Sequence, residues 1–275
     1  MYPFLHIGDI TLPMYGIMIT IGIFAGLLVA ILRAKINGIA KEDILYAFLY
    51  GLIGVFAGAK LLYILPRLSW MVQNKYHFLE DLYSLLVGGF VFYGGLIGGL
   101  LLLIIYIRSY KIPMWPLFDS IIPSIPLIHA MGRVGCFFAG CCYGIPAAPP
   151  WGVLFNNSLI APHGIYLLPV QLIEAAINVV IFIFIVFYSR QKRKEGNILG
   201  IYLLCYAIQR FFLEFLRFDF MERGMLGILS TSQWISLIMI PIGVLLIILP
   251  SKYLQLPAFI LKNTKNKDKG NFINR

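Results

Sequence analysis

The chain has 275 residues, of which 60% are hydrophobic and 12% are charged, and its formal net charge is +10. This composition excludes an ordinary soluble domain, which carries about 25% charged residues. The positive charge does not indicate a nucleic-acid partner, because Lys and Arg are concentrated in alternate loops, as in proteins with several membrane spans.

Seven apolar stretches follow one another along the chain, and each approaches the roughly 20 residues that a membrane-spanning helix needs. They lie near residues 15–32, 44–65, 84–107, 117–131, 169–188, 198–216 and 229–249. The fourth carries Asp119, Pro123 and Pro126, which predicts a short or broken helix whose freed carbonyls bond to neighbours. We therefore expect an all-α integral membrane protein with about seven transmembrane helices, in which residues 1–261 form a single transmembrane domain.

The distribution of basic residues predicts the orientation of these helices. One set of alternate loops, together with the C-terminal tail, contains most of them: Arg33, Lys35, Lys41, Arg108, Lys111, Arg190, Lys192, Arg193, Lys194 and the lysines of the tail. The loop at 145–168, by contrast, has no Lys or Arg. Because positively charged loops stay in the cytoplasm, we expect the N-terminus outside and the C-terminus inside. Residues 262–275 are then a basic cytoplasmic tail near anionic lipid head groups.

Small and aromatic residues stand at the outer ends of the first and third stretches. Gly94 and Gly95 each begin a GxxxG pair, which most often brings two helices into close contact. The alternative is a bare backbone surface for an acyl chain or a head group, with Tyr93 at its edge. Tyr15 stands at the outer end of the first stretch, where an interfacial aromatic belt would also explain it.

The fourth stretch ends in a glycine-rich segment, HAMGRVGCFFAGCCYG, at residues 129–144. Gly132 and Gly144 belong to this segment, and Arg133 lies within it. An arginine beside glycine-rich backbone suits a phosphate, since its guanidinium binds two oxygens while backbone N–H groups add donors. The alternative is a tight turn from which Arg133 extends to the interface. His129 is the one histidine that we consider as a proton carrier.

Three cysteines, Cys136, Cys141 and Cys142, lie in the same segment. Their spacing is not that of two CxxC pairs, and no histidine follows at ligand spacing, so we predict no metal site. A disulfide, a reactive thiol and simple packing of small side chains stay open as alternatives.

The sixth stretch contains several ionisable residues. Tyr206, Arg210 and Glu214 recur every four residues and Arg217 follows three further on, which places all four on one helical face. An arginine at bilayer depth costs about 2.5–3.5 kcal/mol, so this face indicates a polar functional site. The alternative is an ion pair between Arg210 and Glu214 that only allows the helix to be buried.

Together these segments resemble the bacterial prolipoprotein diacylglyceryl transferases over roughly residues 12–236. The matching pieces are Tyr15-Gly16, Gly58-Ala59-Lys60, the glycines at 94–98, Asp119, Gly132-Arg133-Val134-Gly135, the PVQLIE segment at 169–174, the face from Tyr206 to Arg217, and Ser232-Gln233-Trp234-Ile235-Ser236. The chain departs from the family pattern at three positions. Tyr93, Cys136 and Cys141 stand where family members typically have His, Asn and Glu.

The resemblance implies a seven-helix, multi-pass enzyme of the bacterial cytoplasmic membrane. At the outer face such an enzyme moves a diacylglyceryl group from phosphatidylglycerol to the lipobox cysteine of a preprolipoprotein, with membrane lipids as its other partners and no cofactor. The implied catalytic residues are Tyr93, Arg133, Arg210 and Glu214. The implied substrate-binding residues are Tyr15, Gly94, Gly95, Gly132, Cys136, Gly144, Tyr206 and Arg217.

In the implied reaction, Arg133 and Arg210 hold the lipid phosphate from two sides. The group that takes the proton from the acceptor thiol stays open among Glu214, Tyr93 and His129. Two other classes of protein also stay open. A membrane thiol oxidoreductase would use the three cysteines, and a lipid or anion transporter would use the arginine face.

Overall fold

The computed structural model describes residues 2–73, 85, 88–218 and 224–249. The basic tail predicted at residues 262–275 lies outside them. Within the described residues, eight α-helices have these bounds: α1 Met14–Asn37, α2 Lys41–Gln73, α3 Phe92–Ser109, α4 Met114–Ile121, α5 Ile125–Ala139, α6 Val170–Tyr188, α7 Asn197–Leu213 and α8 Thr231–Ile248. A short 3-10 segment, Ile122–Ser124, joins α4 to α5, and another, Glu214–Leu216, follows α7.

The helices form seven spans that are long and apolar enough to cross a membrane, since α4 and α5 together make one span. The prediction of an all-α protein with about seven transmembrane helices is confirmed. Three small antiparallel hairpins lie between the spans: β1 Phe4–Ile7 with β2 Ile10–Pro13, β3 Val153–Leu154 with β4 Tyr166–Leu167, and β5 Met225–Leu226 with β6 Leu229–Ser230.

The fourth span is broken, as predicted, but it is not short. It runs over 26 residues, Met114–Ala139, and its break is the 3-10 segment. Pro123 has no N–H to bond to the carbonyl of Asp119 four residues earlier. That carbonyl instead accepts a hydrogen bond from Arg33 Nε at 3.3 Å, so a side chain of α1 satisfies the freed backbone group. The third span also differs from the prediction, because α3 begins at Phe92 rather than near residue 84.

Glycines bring α2 and α3 into direct backbone contact. A Cβ on Gly94 would overlap the carbonyl of Gly58, and a Cβ on Gly98 would overlap that of Gly54. The interpretation of the GxxxG pairs as helix-packing motifs is therefore correct.

Successive spans run in opposite directions, since Tyr15 at the start of α1 packs against Gly135 near the end of α5, and Arg210 near the end of α7 donates to Ser232 at the start of α8. The first turns of α1, α3, α6 and α8 consequently lie at the same end of the bundle as the last turns of α5 and α7. The polar residues singled out in the sequence are concentrated at this end. Arg33 lies at the opposite end, where it is buried and donates to the carbonyl of Ser189 at 3.0 Å.

Candidate active site

Arg133, on α5, forms a buried ion pair with Glu174 on α6. The Arg133 Nε atom lies 3.0 Å from Glu174 Oε1, and the two side chains are 15% and 2% exposed. A charge buried this deeply requires a partner. The pair therefore fixes the position of the Arg133 guanidinium group between two spans.

His129 lies one helical turn before Arg133 on the same face of α5. Arg133 Nε donates to His129 Nε2 at 3.3 Å, and the same ring nitrogen lies 3.5 Å from Glu174 Oε1. A second proton on this ring would place a cation directly beside Arg133, which electrostatic repulsion opposes. This arrangement makes His129 a poor candidate for the group that accepts a proton.

Arg210, near the end of α7, is held by residues on either side of it. Its Nη2 atom lies 3.1 Å from Glu214 Oε2, one turn further along the chain, and donates to Ser232 Oγ on α8 at 2.9 Å. A capping box formed by Ser230 and Gln233 begins α8 and so fixes Ser232 in its first turn. Arg210 Nη1 is buried and has no hydrogen-bond acceptor among the described residues.

The two arginines converge on one pair of rings. His129 and Tyr206 pack with their ring centroids 5.5 Å apart. The charges of Arg133 and Arg210 both act on His129 and on Tyr206. Cationic groups from two separate spans thus act on the same two rings. We call this group of residues the arginine cluster and define it as His129, Arg133, Glu174, Tyr206 and Arg210.

Two tyrosines lie at the edge of the arginine cluster. Tyr15, in the first turn of α1, packs against Gly135 of α5, where a Cβ would meet its backbone and ring at 3.2 Å. Tyr15 also interacts electrostatically with Arg133. Tyr93, at the start of α3, is 43% exposed and interacts electrostatically with Tyr206. Tyr15 is 43% exposed as well, so both tyrosines are accessible from outside the protein.

The predicted helical face of α7 is only partly present. Tyr206, Arg210 and Glu214 share it, but the α-helix ends at Leu213 and Arg217 has an extended backbone. Arg217 instead forms an isolated antiparallel bridge with Gly144 and is buried in the connecting segments. The prediction that all four residues share one face of a continuous helix is wrong for Arg217, because the helix stops before that residue.

Four glycines were expected to bind substrate: Gly94, Gly95, Gly132 and Gly144. In the structure they either pack against other parts of the chain or lie inside a helix. The space that a side chain on Gly94 or Gly95 would fill is occupied by α2, and a Cβ on Gly144 would overlap Val170. Gly132 lies inside α5, so its N–H belongs to the helical hydrogen-bond pattern. The expected cradle of glycine N–H groups around a phosphate does not form there. These glycines allow close packing or continue a helix.

Glu174 is the site residue that the sequence reasoning did not assign, although it lies in the PVQLIE segment. Gln171 and Asn178 are buried on the same face of α6. Gln171 Nε2 donates to the Cys141 carbonyl at 2.7 Å, and Asn178 Nδ2 donates to the Glu174 carbonyl at 2.8 Å. Three polar side chains at spacings of three and four in a strongly apolar helix are a signal that could have identified this face.

The three cysteines of the glycine-rich segment are unpaired and close together. Their sulfur atoms all lie within 4.8 Å of one another, and Cys136 is buried. Hydrogen bonds from the thiols of Cys136 and Cys141, and then the positive charge of Arg217, lower the pKa of the Cys142 thiol below its ordinary value. Cys136 also interacts electrostatically with Arg133, so these sulfurs border the arginine cluster.

Comparison with known proteins places the chain among membrane transferases. Residues 3–249 match the family described as prolipoprotein diacylglyceryl transferase. The chain is 38% identical over 230 residues to the phosphatidylglycerol–prolipoprotein diacylglyceryl transferase of Clostridium tetani, which covers 84% of this chain and 90% of that protein. It is 33% identical over 232 residues to the second such transferase of Clostridium perfringens, covering 84% and 88%. The similarity to the Prochlorococcus marinus transferase, 31% over 288 residues, covers 96% and 95%.

Proposed function

The chain belongs to the prolipoprotein diacylglyceryl transferase family, and we propose that it transfers the diacylglyceryl group of phosphatidylglycerol to a cysteine thiol of a prolipoprotein. The matched relatives are named for this reaction, and the similarity extends over most of each chain. The chain is a transferase with several membrane spans. The lipobox sequence around the acceptor cysteine and the outer face of the cytoplasmic membrane are parts of the same proposal.

One observation supports the position of the lipid phosphate most strongly. Arg133 and Arg210 come from different spans, yet the charges of both act on the same pair of rings, and Arg210 Nη1 is a buried donor without an acceptor among the described residues. Each arginine is paired with one carboxylate, but this second nitrogen of Arg210 is left as a buried donor, and a buried donor without an acceptor is costly. The phosphate of phosphatidylglycerol would supply the missing acceptor and bind between the two guanidinium groups.

The proposed reaction is a displacement at the glyceryl carbon that bears the phosphate. The acceptor thiol loses its proton, and the thiolate forms a carbon–sulfur bond as the carbon–oxygen bond to the phosphate breaks. The electron pair of that bond goes to the phosphate, which leaves as glycerol phosphate. Negative charge therefore grows between Arg133 and Arg210, where fixed cations in a dry site lower the barrier.

Glu174 and Glu214 are the two carboxylates of the site that could take part in the proton transfer, and each forms an ion pair with an arginine. We assign the role of proton acceptor to Glu214, because a phosphate bound to Arg210 would compete for the guanidinium group that otherwise neutralises this carboxylate. Tyr93 stands at the open edge of the arginine cluster and is the alternative acceptor. If Glu214 accepts the proton, substitution of Glu214 should abolish the pH dependence of the rate. If Tyr93 accepts it, substitution of Tyr93 should do so.

The orientation of the site is proposed from the charge distribution. The arginine cluster lies at the end of the bundle where α1 begins, opposite the basic loops. With the positive loops in the cytoplasm, this end faces the outer leaflet, where an exported protein would present its cysteine.

Conversion of a lipobox peptide by the purified protein tests the proposal. The peptide is incubated with phosphatidylglycerol in detergent, and mass spectrometry reports the addition of one diacylglyceryl group together with release of glycerol phosphate. Arg133→Ala and Arg210→Ala should each remove most of the activity. Arg190→Ala, at an exposed arginine on the far end of the bundle, is the matched control and should retain it.

Three outcomes would contradict the proposal. Unchanged turnover in either arginine variant would exclude the phosphate-binding assignment. Oxidation of the peptide thiol without lipid addition would favour a thiol oxidoreductase. Movement of lipid between leaflets without a covalent product would favour a transporter.

A further inference from the structure

The fold brings together three sulfur atoms that the sequence spacing did not predict to meet. Cys136, Cys141 and Cys142 place their sulfur atoms within 4.8 Å of one another, and this is the one such group of potential metal ligands found among the residues that the structure describes. The fourth cysteine, Cys205, lies apart from them in the middle of α7. We refer to Cys136, Cys141 and Cys142 as the thiol cluster.

The end of α5 explains how these sulfurs meet. Gly140 adopts a left-handed conformation with φ of 74°, which stops the helix and reverses the chain. The Cys141 N–H then donates to the carbonyl of Cys136 at 3.2 Å, so the two residues lie side by side across the helix end. Cys142 follows with φ of 58°, a conformation that is unfavourable for a residue with a Cβ.

Neighbouring segments hold this strained turn in place. Gln171 donates to the Cys141 carbonyl, and Ser158 Oγ donates to the Gly140 carbonyl at 3.4 Å. The Phe218 N–H donates to the carbonyl of Tyr143 at 3.2 Å. The thiol cluster is therefore fixed by contacts from three separate parts of the chain before any ligand binds, and such preorganisation lowers the cost of binding.

We propose that Cys136, Cys141 and Cys142 form a binding site for a thiophilic metal ion, with Zn²⁺ as the representative ion. Soft thiolate ligands select zinc, monovalent copper and related ions over magnesium or calcium. Zn–S bonds of about 2.3 Å in a tetrahedral site place sulfur atoms roughly 3.8 Å apart. The observed spacing of at most 4.8 Å lies within about 1 Å of this value.

The charges around the thiol cluster suit an occupied site. Binding converts three thiols to thiolates and releases three protons to solvent, with no change in oxidation state. Three thiolates and one divalent cation carry one net negative charge, and Arg133 and Arg217 both act on Cys142. Three protein ligands also leave one tetrahedral position for water or another donor. The site is independent of the proposed lipid transfer, because metal binding requires neither phosphatidylglycerol nor a peptide.

A titration of the full-length protein tests the proposal. The protein is purified in detergent, reduced, freed of chelators and titrated with Cd²⁺, whose bonds to thiolates absorb in the ultraviolet. We expect saturation at one Cd²⁺ per chain, and Cd²⁺ should displace Zn²⁺ that was bound beforehand, because the softer ion prefers thiolate ligands. Cys142→Gly removes one sulfur and places at this position a residue that tolerates positive φ. This variant should be folded, with an unfolding temperature no lower than that of the wild type, and should bind Cd²⁺ at least about tenfold more weakly.

Cys205→Ala is the matched control, because it removes a cysteine outside the thiol cluster and should leave Cd²⁺ affinity unchanged. Absence of the thiolate band in the wild type, or wild-type affinity in folded Cys142→Gly, would overturn the proposal. Equal loss in Cys205→Ala would do the same. So would a disulfide within the thiol cluster in protein purified without reductant, because that bond would remove two of the three ligands.

Discussion

Glu174→Gln separates the charge of Glu174 from its size and tests how Arg133 is positioned. At the observed 3.0 Å, two unit charges attract by about 5.5 kcal/mol at an effective dielectric constant of ~20. Glutamine keeps an oxygen acceptor and no longer carries the desolvation cost of a buried carboxylate, which offsets part of this loss. We therefore expect a net loss of about 2 kcal/mol in transition-state stabilisation, equivalent to a transfer rate ~30-fold lower.

The assay is the initial rate of peptide modification at several phosphatidylglycerol concentrations in mixed micelles. The loss should fall mainly on kcat, because Arg133 stays cationic and can still attract the lipid but is no longer held in place. In an Arg133→Ala background, Glu174→Gln should change the rate less than about threefold, since the two residues act through one contact. Asn178→Ala, one turn further on the same buried face of α6, controls for disturbance of the helix and should retain most activity.

Two results would refute this reasoning. A full 30-fold loss from Glu174→Gln in the Arg133→Ala background would show that Glu174 acts independently of Arg133. A wild-type kcat for Glu174→Gln in a correctly folded protein would show that the ion pair does not position the arginine.

The other predictions concern packing, the second arginine and orientation. Gly94→Leu should lower the free energy of unfolding by about 1–3 kcal/mol through overpacking against α2. Gly132→Ala, where the nearest atom to a new Cβ is 3.9 Å away, should leave the free energy of unfolding unchanged or raise it. Thermal unfolding in detergent compares the two variants. Arg210→Lys should lower the transfer rate at least ~10-fold, because one ammonium group cannot replace the planar guanidinium that contacts Glu214 and Ser232 and that we propose binds the phosphate as well. A rate equal to wild type would contradict this. A cysteine introduced in the loop at 145–168 should react with a membrane-impermeant reagent added outside intact cells, and one introduced in 190–196 should not; the opposite pattern would reverse the proposed orientation.

The spans and the break at Pro123 could be predicted because both depend on local chemistry. A long apolar stretch identifies a membrane helix regardless of which helices pack against it. A proline likewise removes the same backbone hydrogen bond from a helix in any fold. The starting residue of α3 could not be predicted, because the apolar residues before Phe92 are interrupted only by Gly88 and Gly89, which an apolar membrane helix also tolerates.

The partners across spans could not be read from the sequence. The sequence predicts Arg133 as a candidate phosphate ligand, but its contact with Glu174 depends on how α5 packs against α6. The sulfur atoms of Cys136 and Cys141 meet because Gly140 reverses the chain, which a spacing rule for metal ligands does not represent. Arg217 leaves the predicted face because α7 ends at Leu213. In each case, tertiary contacts rather than local propensity determined the position of the side chain.

The central claim is that Arg133 and Arg210 hold one lipid phosphate between them. The most direct measurement is the distance from the phosphate oxygens to both guanidinium groups in a structure of the protein bound to phosphatidylglycerol without acceptor peptide. The account predicts nitrogen–oxygen distances of about 2.7–2.9 Å to both arginines. A phosphate that contacts only one of them, or that binds elsewhere on the chain, would contradict it.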